Sequence, residues 1–249
     1  MPASPAGSTT AGRCLLIVPA FNERESIAKV VRELRAQAPF ADVLVIDDGS
    51  TDGTPHHVPR TATVVSLPFN LGIGGAMQTG YRYAALHGYD FAVQVDADGQ
   101  HPADQVPGLL DALHTTGADM VIGSRFIEPG GYQQSFSRMA GIRVLGGLIQ
   151  LLTGKQITDC TSGFRAVNRR VIQAFAHWYP EDYPEPEVAM LLHRGGFQVC
   201  EVPAVMQQRT TGESAFSLFN GLFYVVKVAM CLILDTIRNP WPSEKVHAP

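Results

Sequence analysis

Short apolar runs rich in β-branched residues alternate with segments of helical periodicity, and this alternation constrains the fold more than any other feature of the sequence. The apolar runs are CLLIV (14–18), DVLVI (42–46), ATVVS (62–66), FAVQV (91–95) and DMVIG (119–123). Between them, the segments 26–36, 76–86 and 106–113 place apolar residues on one helical face. Because strands that alternate with helices pair in parallel through right-handed crossovers, the sequence predicts an α/β fold with a mainly parallel sheet flanked by helices.

Polar residues follow four of the predicted strands. The segments are PAFNE after the first run, DDGSTDGT after the second, DADGQHP after the fourth and GSRF after the fifth. Open parallel sheets bind their ligands at the carboxyl ends of the strands. The sequence therefore predicts a single site, at the sheet edge where these acids, amides and an arginine would meet.

The segment DADGQHP carries two aspartates one residue apart, Asp96 and Asp98. Carboxylates at i and i+2 can converge on one divalent cation when the turn folds back, and their hard oxygens suit Mg²⁺ or Mn²⁺. An Asx-turn with a capping aspartate explains the same residues without a metal. Taken alone, the motif leaves both interpretations open.

The glycine-rich segment LGIGGA (71–76) resembles a phosphate loop only superficially. Its spacing is neither G-x-G-x-x-G nor that of a Walker loop, and no strand directly precedes it. We therefore expect LGIGGA to begin a helix. The first strand end, PAFNE, has no glycine that would admit a pyrophosphate, which disfavours a dinucleotide oxidoreductase.

Composition and charge exclude further classes. The chain has 249 residues, 45% of them hydrophobic and 17% charged, which is enough to bury a sizeable core. The formal net charge is -4 and the Lys and Arg residues are scattered, so we expect no nucleic-acid partner. Four widely spaced cysteines without a C-x-x-C pair predict reduced thiols in a cytosolic compartment.

The chain divides into four predicted parts. Residues 1–12 are small and polar and are expected to form a flexible N-terminal tail, and residues 239–249 a Pro-rich C-terminal tail. Residues 13–215 form the α/β domain. Residues 216–238 form an apolar helix.

The apolar helix is too short to cross a bilayer in a simple way. Between Leu222 and Leu234 only Lys227 is charged, and this 13-residue run is shorter than the roughly 20 residues that a span requires. Five polar positions, spaced by three or four residues, form one stripe: Asn220, Tyr224, Lys227, Cys231 and Asp235. Such a helix can lie in a membrane interface, bind a small membrane-protein partner or form a homodimer. A core helix docked on the domain is the alternative.

Together, the ordered motifs resemble those of the family-two inverting glycosyltransferases of GT-A fold, and within them the dolichyl-phosphate mannose and polyprenyl-phosphate glycosyltransferase group. The motifs are VPAFNE, IDDGSTDGT, LGIGGAMQTGY, VQVDADGQHP, IGSRF, DCTSGFRAV, Glu187 nine residues before Gly196, and EVPAV followed by RTTGES. The resemblance covers residues 14–215. Six or more motifs in order are far more specific than two aspartates alone.

The resemblance implies the residues that bind the donor. The nucleoside would be held at the first strand end and by the second aspartate of IDDG, which gives Pro19, Phe21, Glu23 and Asp48. The metal, Mg²⁺ or Mn²⁺, and the sugar diphosphate would be held by the residues of DADGQ, which gives Asp96, Asp98 and Gln100. Arg209 and Ser214 match a mobile loop over the diphosphate. Phe21 replaces a common Tyr, and Ala215 stands where the family often has Lys.

The resemblance also implies four catalytic candidates. Arg125 and Arg138 match basic residues that meet phosphate oxygens, and Asp159 matches an acid placed near the acceptor. Glu187 is the fourth, and its alternative interpretation is a solvated helix residue in the PEPE run. His101 is expected to have a structural role next to Pro102 and not to bind the metal.

The implied activity is the metal-dependent, inverting transfer of a hexose from a UDP- or GDP-sugar to polyprenyl phosphate. The protein is expected to be peripheral, at the cytoplasmic face of the cell membrane. One alternative keeps the donor chemistry but changes the acceptor to a glycan or a small molecule. Another is a non-catalytic nucleotide-sugar binding module, which the presence of both Asp96 and Asp98 disfavours.

Overall fold

The computed structural model describes residues 12–127, 136–206 and 218–237, without the side chains of 136–138 and 218–222. Both predicted tails lie outside these ranges, apart from residue 12, and so do Arg209 and Ser214. The side chain of Arg138 also lies outside the described part. The predictions made for these residues and tails therefore remain predictions.

Seven strands and eight helices alternate along the described chain. The strands are β1 (Cys14–Ala20), β2 (Asp42–Asp47), β3 (Thr63–Ser66), β4 (Phe91–Gln94), β5 (Met120–Ser124), β6 (Arg165–Asn168) and β7 (Val199–Pro203). The helices are α1 (Ile27–Gln37), α2 (Thr54–His57), α3 (Gly72–Leu86), α4 (Val106–Thr116), α5 (Phe136–Thr153), α6 (Arg169–His177), α7 (Pro184–Arg194) and α8 (Leu218–Asp235). A 3₁₀ turn at Ala103–Gln105 leads into α4.

One sheet contains all seven strands, in the order β3-β2-β1-β4-β6-β5-β7. Only β6 is antiparallel to its neighbours, β4 and β5. The remaining pairs, β1 with β2 and β4, β2 with β3, and β5 with β7, are parallel. The carboxyl ends of the parallel strands and the start of β6 therefore share one edge of the sheet.

The two faces of the sheet support separate apolar cores. Leu15 and Ile17 face the layer of α3 and α5–α8, whereas Leu16 and Val18 face the layer of α1 and α4. All four side chains are at most 1% exposed. A strand covered on both faces needs apolar residues at every position, which explains why CLLIV is a continuous run and not an alternating one.

The predicted fold class is confirmed, with differences at particular elements. The five predicted strands are present with ends shifted by one or two residues, and the helix predicted for 76–86 begins at Gly72, inside LGIGGA as expected. Strand β6 was not predicted, because RAVN is short and has polar residues at both ends. The cysteines are free thiols, as predicted.

Helix α8 packs on α5 and α7 with its polar stripe facing the domain. The ring of Tyr224 lies 4.8 Å from that of Tyr183, and Lys227 Nζ lies 2.6 Å from Asp182 Oδ2. Asp235 is 4% exposed. The side chain of Asn220 lies outside the described part. Since the stripe is directed inward, the opposite side of the helix is left to solvent.

The solvent side of α8 is apolar, and we call it the outer face of α8. Its residues are Phe223, Val226, Met230, Ile233 and Leu234, with Ile237 just beyond the helix. Each is at least 51% exposed. On α5, Val144 (58% exposed) and Leu151 (81% exposed) are also directed outward. Within the described ranges, no helix is long and apolar enough to cross a membrane.

Gly74 lets the segment that precedes α7 approach the start of α3, and this contact gives a stability prediction. Gly74 N donates to Glu181 O at 3.1 Å, and a β-carbon at Gly74 would overlap the carbonyl oxygens of Pro180 and Glu181. We expect Gly74→Ala to lower the free energy of unfolding by about 1–3 kcal/mol, measured by urea denaturation.

Gly108 in α4 provides the matched control, because a β-carbon there meets nothing within 4 Å. We expect Gly108→Ala to be neutral or to stabilise by up to about 1 kcal/mol. Equal stability of Gly74→Ala and the unsubstituted protein would show that this backbone contact does not constrain the fold.

Candidate active site

The DADGQ turn leaves β4 at the shared sheet edge. Asp98 Oδ1 accepts from the main-chain N–H of Gln100 at 2.9 Å, and Gly99 has a φ of 77°, a conformation that favours glycine. The turn therefore folds back on itself, as convergence of Asp96 and Asp98 requires. The Asp98 contact is also the hydrogen bond of an Asx-turn, so both interpretations of the sequence describe this turn.

His101 supports Asp96 from beneath the turn. Its Nδ1 accepts from the main-chain N–H of Asp96 at 2.9 Å, and its Nε2 lies 3.5 Å from Asp96 Oδ2. Burial lowers the pKa of His101, so the ring is neutral at pH 7 and carries its proton on Nε2. The ring also packs 5.0 Å from that of Phe164. These contacts give His101 the structural role that the sequence predicts.

Asp96 meets the segment that precedes β6. Gln94 Nε2 approaches Asp96 Oδ1 at 3.5 Å, at the limit of a hydrogen bond. A β-carbon at Gly163 would come within 2.9 Å of Gln94 Nε2 and 3.4 Å of Asp96 Oδ1. The glycine of DCTSGF thus allows this segment to pass close to the aspartate turn.

The four predicted nucleoside residues gather at the ends of β1 and β2. Pro19 lies in β1, opposite Ile46 of β2, and the ring of Phe21 is 45% exposed just beyond the strand. Asp48 N donates to Ala20 O at 2.9 Å, and its Oδ1 accepts from Leu71 N at 2.7 Å. Asp48 therefore ties β2 to the start of α3.

Glu23 has a local role in addition to its predicted one. Its Oε2 accepts from Ser26 Oγ at 2.6 Å, and its main-chain N–H donates to Thr54 Oγ1 at 2.9 Å. These bonds link the turn after β1 to the starts of α1 and α2. The structure brings Glu23 to the predicted nucleoside end of the sheet, with its carboxylate engaged in this turn.

Arg125 and Asp159 form a buried ion pair beside the aspartate turn. Arg125 Nε and Nη2 lie 2.7 and 2.6 Å from the two oxygens of Asp159, and Arg125 N also donates to Oδ2. Asp159 is 0% exposed. Glu201 Oε1 accepts from Asp159 N at 2.8 Å. Because both carboxylate oxygens are engaged, Asp159 fixes the guanidinium of Arg125 at this edge.

Glu187 lies against Asp235 of α8. It is 7% exposed, and burial followed by the nearby charge of Asp235 raises its pKa to about 8. The two carboxyl groups share a hydrogen bond, and Asp235 Oδ2 is buried with no partner among the described residues. Glu187 is thus not a solvated helix residue, and its predicted catalytic role stays a prediction.

Two residues near the aspartate turn, Arg165 and Glu185, were not predicted from the sequence. Arg165 is 1% exposed and lies opposite Gln94 in the sheet; its Nη2 donates to Glu185 O at 2.8 Å. Burial raises the pKa of the Glu185 carboxyl, and the charges that act on it include those of Arg165 and Asp96. The helical period could have indicated that Glu185 and Glu187 point in different directions.

The aspartate turn fits a divalent cation that is shared with a substrate. Within the described ranges, no three His, Cys, Asp or Glu side chains form a complete metal cluster. Mg²⁺ and similar ions are commonly held by one or two carboxylates together with substrate phosphates, so a complete protein cage is not needed. Asp96 and Asp98 supply two carboxylates on one turn, and Gln100 follows directly.

The chain is similar to proteins of known activity. It matches the family model "Glycosyl transferase family 2" over residues 15–175. Undecaprenyl-phosphate mannosyltransferase of Micrococcus luteus is 34% identical over 216 residues, covering 82% of this chain and 88% of that protein. Polyprenol monophosphomannose synthase of Mycolicibacterium smegmatis is 31% identical over 229 residues, covering 87% and 86%.

A solved structure supports the fold. Glucosyl-3-phosphoglycerate synthase of Mycobacterium tuberculosis, in complex with Mn²⁺, UDP and glucosyl-3-phosphoglycerate, superposes with a TM-score of 0.68 at 20% identity. The superposition covers 91% of this chain and 80% of that one. Together with the family match, it confirms the expected GT-A type of α/β fold.

The Glu187 carboxyl makes stability depend on pH. The pKa of this carboxyl is about 8 in the folded protein and about 4.5 in the unfolded chain. Between these values the folded state therefore retains a proton that the unfolded chain loses. Stability should therefore fall as pH rises between these values. The side chain of Glu187→Gln stays neutral at every pH. The free energy of unfolding of this variant, relative to that of the unsubstituted protein, should therefore be about 1–3 kcal/mol higher at pH 9 than at pH 5, measured by urea denaturation.

Glu33→Gln is the matched control, because Glu33 is an exposed residue of α1 that pairs with Lys29 at 3.7 Å. Its stability difference from the unsubstituted protein should change little over the same pH range. A difference for Glu187→Gln that is the same at pH 5 and pH 9 would show that Glu187 does not carry this proton.

Proposed function

The chain belongs to glycosyl transferase family 2, as its motifs predicted, and we propose that it transfers a hexose from a nucleotide sugar to polyprenyl phosphate with inversion at the anomeric carbon. The two relatives named for polyprenyl-phosphate mannosyl transfer support this acceptor, and the chain covers 86% and 88% of their lengths. Their names make mannose the first sugar to test, with UDP- and GDP-linked donors compared.

The convergence of the aspartate turn with the Arg125–Asp159 pair at one sheet edge carries the proposal. In the reaction, an acceptor oxygen forms a bond to the anomeric carbon while the bond from that carbon to the diphosphate breaks. The electron pair leaves with the nucleoside diphosphate. Arg125, held by Asp159 at 2.6 Å, provides a fixed positive charge for phosphate oxygens.

The engagement of Asp159 favours a phosphate acceptor over a hydroxyl acceptor. A sugar hydroxyl must lose a proton to a base, whereas a lipid phosphate is already ionised at neutral pH. Both oxygens of Asp159 accept hydrogen bonds from Arg125, so this carboxylate is poorly placed to accept a proton. We therefore assign Asp159 to positioning Arg125, and we favour polyprenyl phosphate over a glycan or small-molecule acceptor.

A divalent cation, Mg²⁺ or Mn²⁺, is proposed at Asp96, Asp98 and Gln100. When bound, such an ion neutralises the charge of a departing diphosphate. His101 and Gln94 hold Asp96 in place at 3.5 Å each. Pro19, Phe21, Glu23 and Asp48 are proposed to hold the nucleoside, and Arg138, Arg209 and Ser214 remain proposed phosphate-binding residues.

The outer face of α8 is proposed to contact the membrane, at its cytoplasmic side. The six exposed apolar side chains along this face suit the boundary between lipid headgroups and acyl chains. Arg194 lies at the end of this face, where its Nη2 donates to Thr236 O at 2.7 Å, and its charge suits anionic lipid. Near the other end of α8, the ring of Tyr224 packs on that of Tyr183, two residues from Glu185. This contact would hold the candidate active site near a lipid-linked acceptor.

The proposed activity predicts a labelled product that is soluble in organic solvent. Incubating the protein with GDP- or UDP-[¹⁴C]hexose, Mn²⁺ and a short polyprenyl phosphate should give this product, and chelation with EDTA should abolish it. We expect Asp98→Ala to lower the rate by about 100-fold or more, because one of the two carboxylates is lost.

Asp104→Ala is the control, because Asp104 lies in the 3₁₀ turn before α4 and outside the proposed donor site. Transfer to a water-soluble glycan instead of the lipid would overturn the acceptor assignment. Donor binding without turnover on any acceptor would favour a binding module, and full activity of Asp98→Ala would remove Asp98 from the metal site.

The outer face of α8 predicts binding to lipid vesicles. We expect the protein to float with vesicles of phosphatidylcholine and phosphatidylglycerol, and Met230→Glu combined with Ile233→Glu to weaken this binding by about 10-fold or more, because charges are costly in the interface. Leu86→Glu is the matched control, since Leu86 is 82% exposed but ends α3.

Light scattering of the same proteins tests whether the outer face of α8 instead binds a second copy of this chain. Loss of a dimer in the double variant, with vesicle binding unchanged, would assign the face to a homodimer. Absence of vesicle binding by the unsubstituted protein would overturn the membrane assignment.

A further inference from the structure

Helix α7 directs its two glutamates to different sides. Glu185 and Glu187 are two residues apart, and side chains with this spacing point about 200° away from each other around a helix. Glu187 faces α8, where Asp235 shares a hydrogen bond with it. Glu185 is therefore directed to the opposite side, toward β4 and β6.

Hydrogen bonds fix the position of Glu185 relative to the aspartate turn. Arg165 Nη2 donates to the main-chain oxygen of Glu185 at 2.8 Å, and Arg165 lies opposite Gln94 in the register of β6 and β4. Gln94 Nε2 lies 3.5 Å from Asp96 Oδ1. Arg165 thus holds the first turn of α7 beside the strand pair that leads to Asp96, and the charge of Asp96 acts on the Glu185 carboxyl.

The groups near Glu185 include a buried donor of Arg165 that the described residues do not pair. The Glu185 carboxylate accepts a hydrogen bond from its own main-chain N–H, and no side chain in the described part of the chain donates to it. Arg165 Nη1 is buried, and it has no hydrogen-bond partner in the described part of the chain. A sugar hydroxyl is both donor and acceptor, so a hexose matches this pair of groups.

We propose that Glu185 binds hydroxyl groups of the donor hexose and thereby selects among hexose donors. The proposal rests on the proposed function, because it requires a nucleotide sugar whose diphosphate lies at Asp96 and Asp98. The hexose is bonded directly to that diphosphate, which brings it to the neighbourhood of Asp96. The carboxylate of Glu185 would repel an anionic acceptor phosphate, which favours the uncharged hexose as its ligand.

Calorimetric titration of the nucleotide sugar and of the matching nucleoside diphosphate, both with Mn²⁺, tests the proposal. We expect Glu185→Gln to raise the Kd for the nucleotide sugar by about 10-fold or more, because hydrogen bonds to a charged group are lost. The Kd for the nucleoside diphosphate should stay within about twofold, which also reports that the variant is folded. Glu181→Gln is the matched control, since Glu181 is an exposed residue of the same segment, and it should change neither Kd.

A set of monodeoxy donors identifies the hydroxyl groups involved. A donor that lacks a hydroxyl bound by Glu185 should bind the unsubstituted protein more weakly and lose little further affinity in Glu185→Gln. Competition between two nucleotide hexoses that differ at that hydroxyl should be less selective in the variant than in the unsubstituted protein.

Three results would overturn the assignment. In the first, Glu185→Gln weakens nucleoside diphosphate binding as much as nucleotide-sugar binding. In the second, it changes neither Kd by more than about twofold. In the third, it lowers kcat and removes the acidic limb of the pH profile with the donor Kd unchanged, which would make Glu185 a base for the acceptor. Failure of the unsubstituted protein to bind any nucleotide sugar would instead overturn the proposed function itself.

Discussion

A fully buried guanidinium, that of Arg165, joins the parts of the candidate site. Arg165 donates to three main-chain carbonyl oxygens, those of Cys160, Ser162 and Glu185, at 2.7–3.1 Å. A charge removed from water is costly unless hydrogen bonds replace its hydration, and these carbonyls supply most of that replacement. The loop before β6, which carries Asp159, and the first turn of α7 therefore depend on one residue of an antiparallel strand.

Helix α8 directs part of its polar stripe toward the domain and an apolar face toward solvent. Helix α8 directs Lys227 and Asp235 toward Asp182 and Glu187, while its outer face remains in solvent. The outward side of a surface helix is usually polar. The inward contacts hold α8 on the domain, and the exposed apolar row has the character of a lipid or protein interface. The segment with Asp182 and Tyr183, which contacts α8, leads directly to Glu185. The proposed membrane contact and the proposed sugar-binding carboxylate would therefore be adjacent.

Local patterns were enough to predict five of the strands and the shared edge. A strand buried on both faces requires a continuous apolar run, and a parallel sheet places every carboxyl end on one side, so Asp96, Asp98 and Arg125 could be assigned to one region. Strand β6 escaped prediction because four residues with Arg165 and Asn168 at the ends have no apolar period. Its place between β4 and β5 depends on long-range pairing that no local window contains.

The sequence by itself determined the fold class, the family and the aspartate turn, because these follow from periodicity and from motifs of adjacent residues. Only the tertiary structure decided which way side chains face when their neighbours come from distant segments. It placed Glu187 against Asp235 and Glu185 beside Arg165, although the two glutamates are nearly adjacent in sequence. It also engaged Asp159 with Arg125 and turned the polar stripe of α8 inward. Each of these outcomes depends on burial, which is a property of packing between elements and not of any one segment.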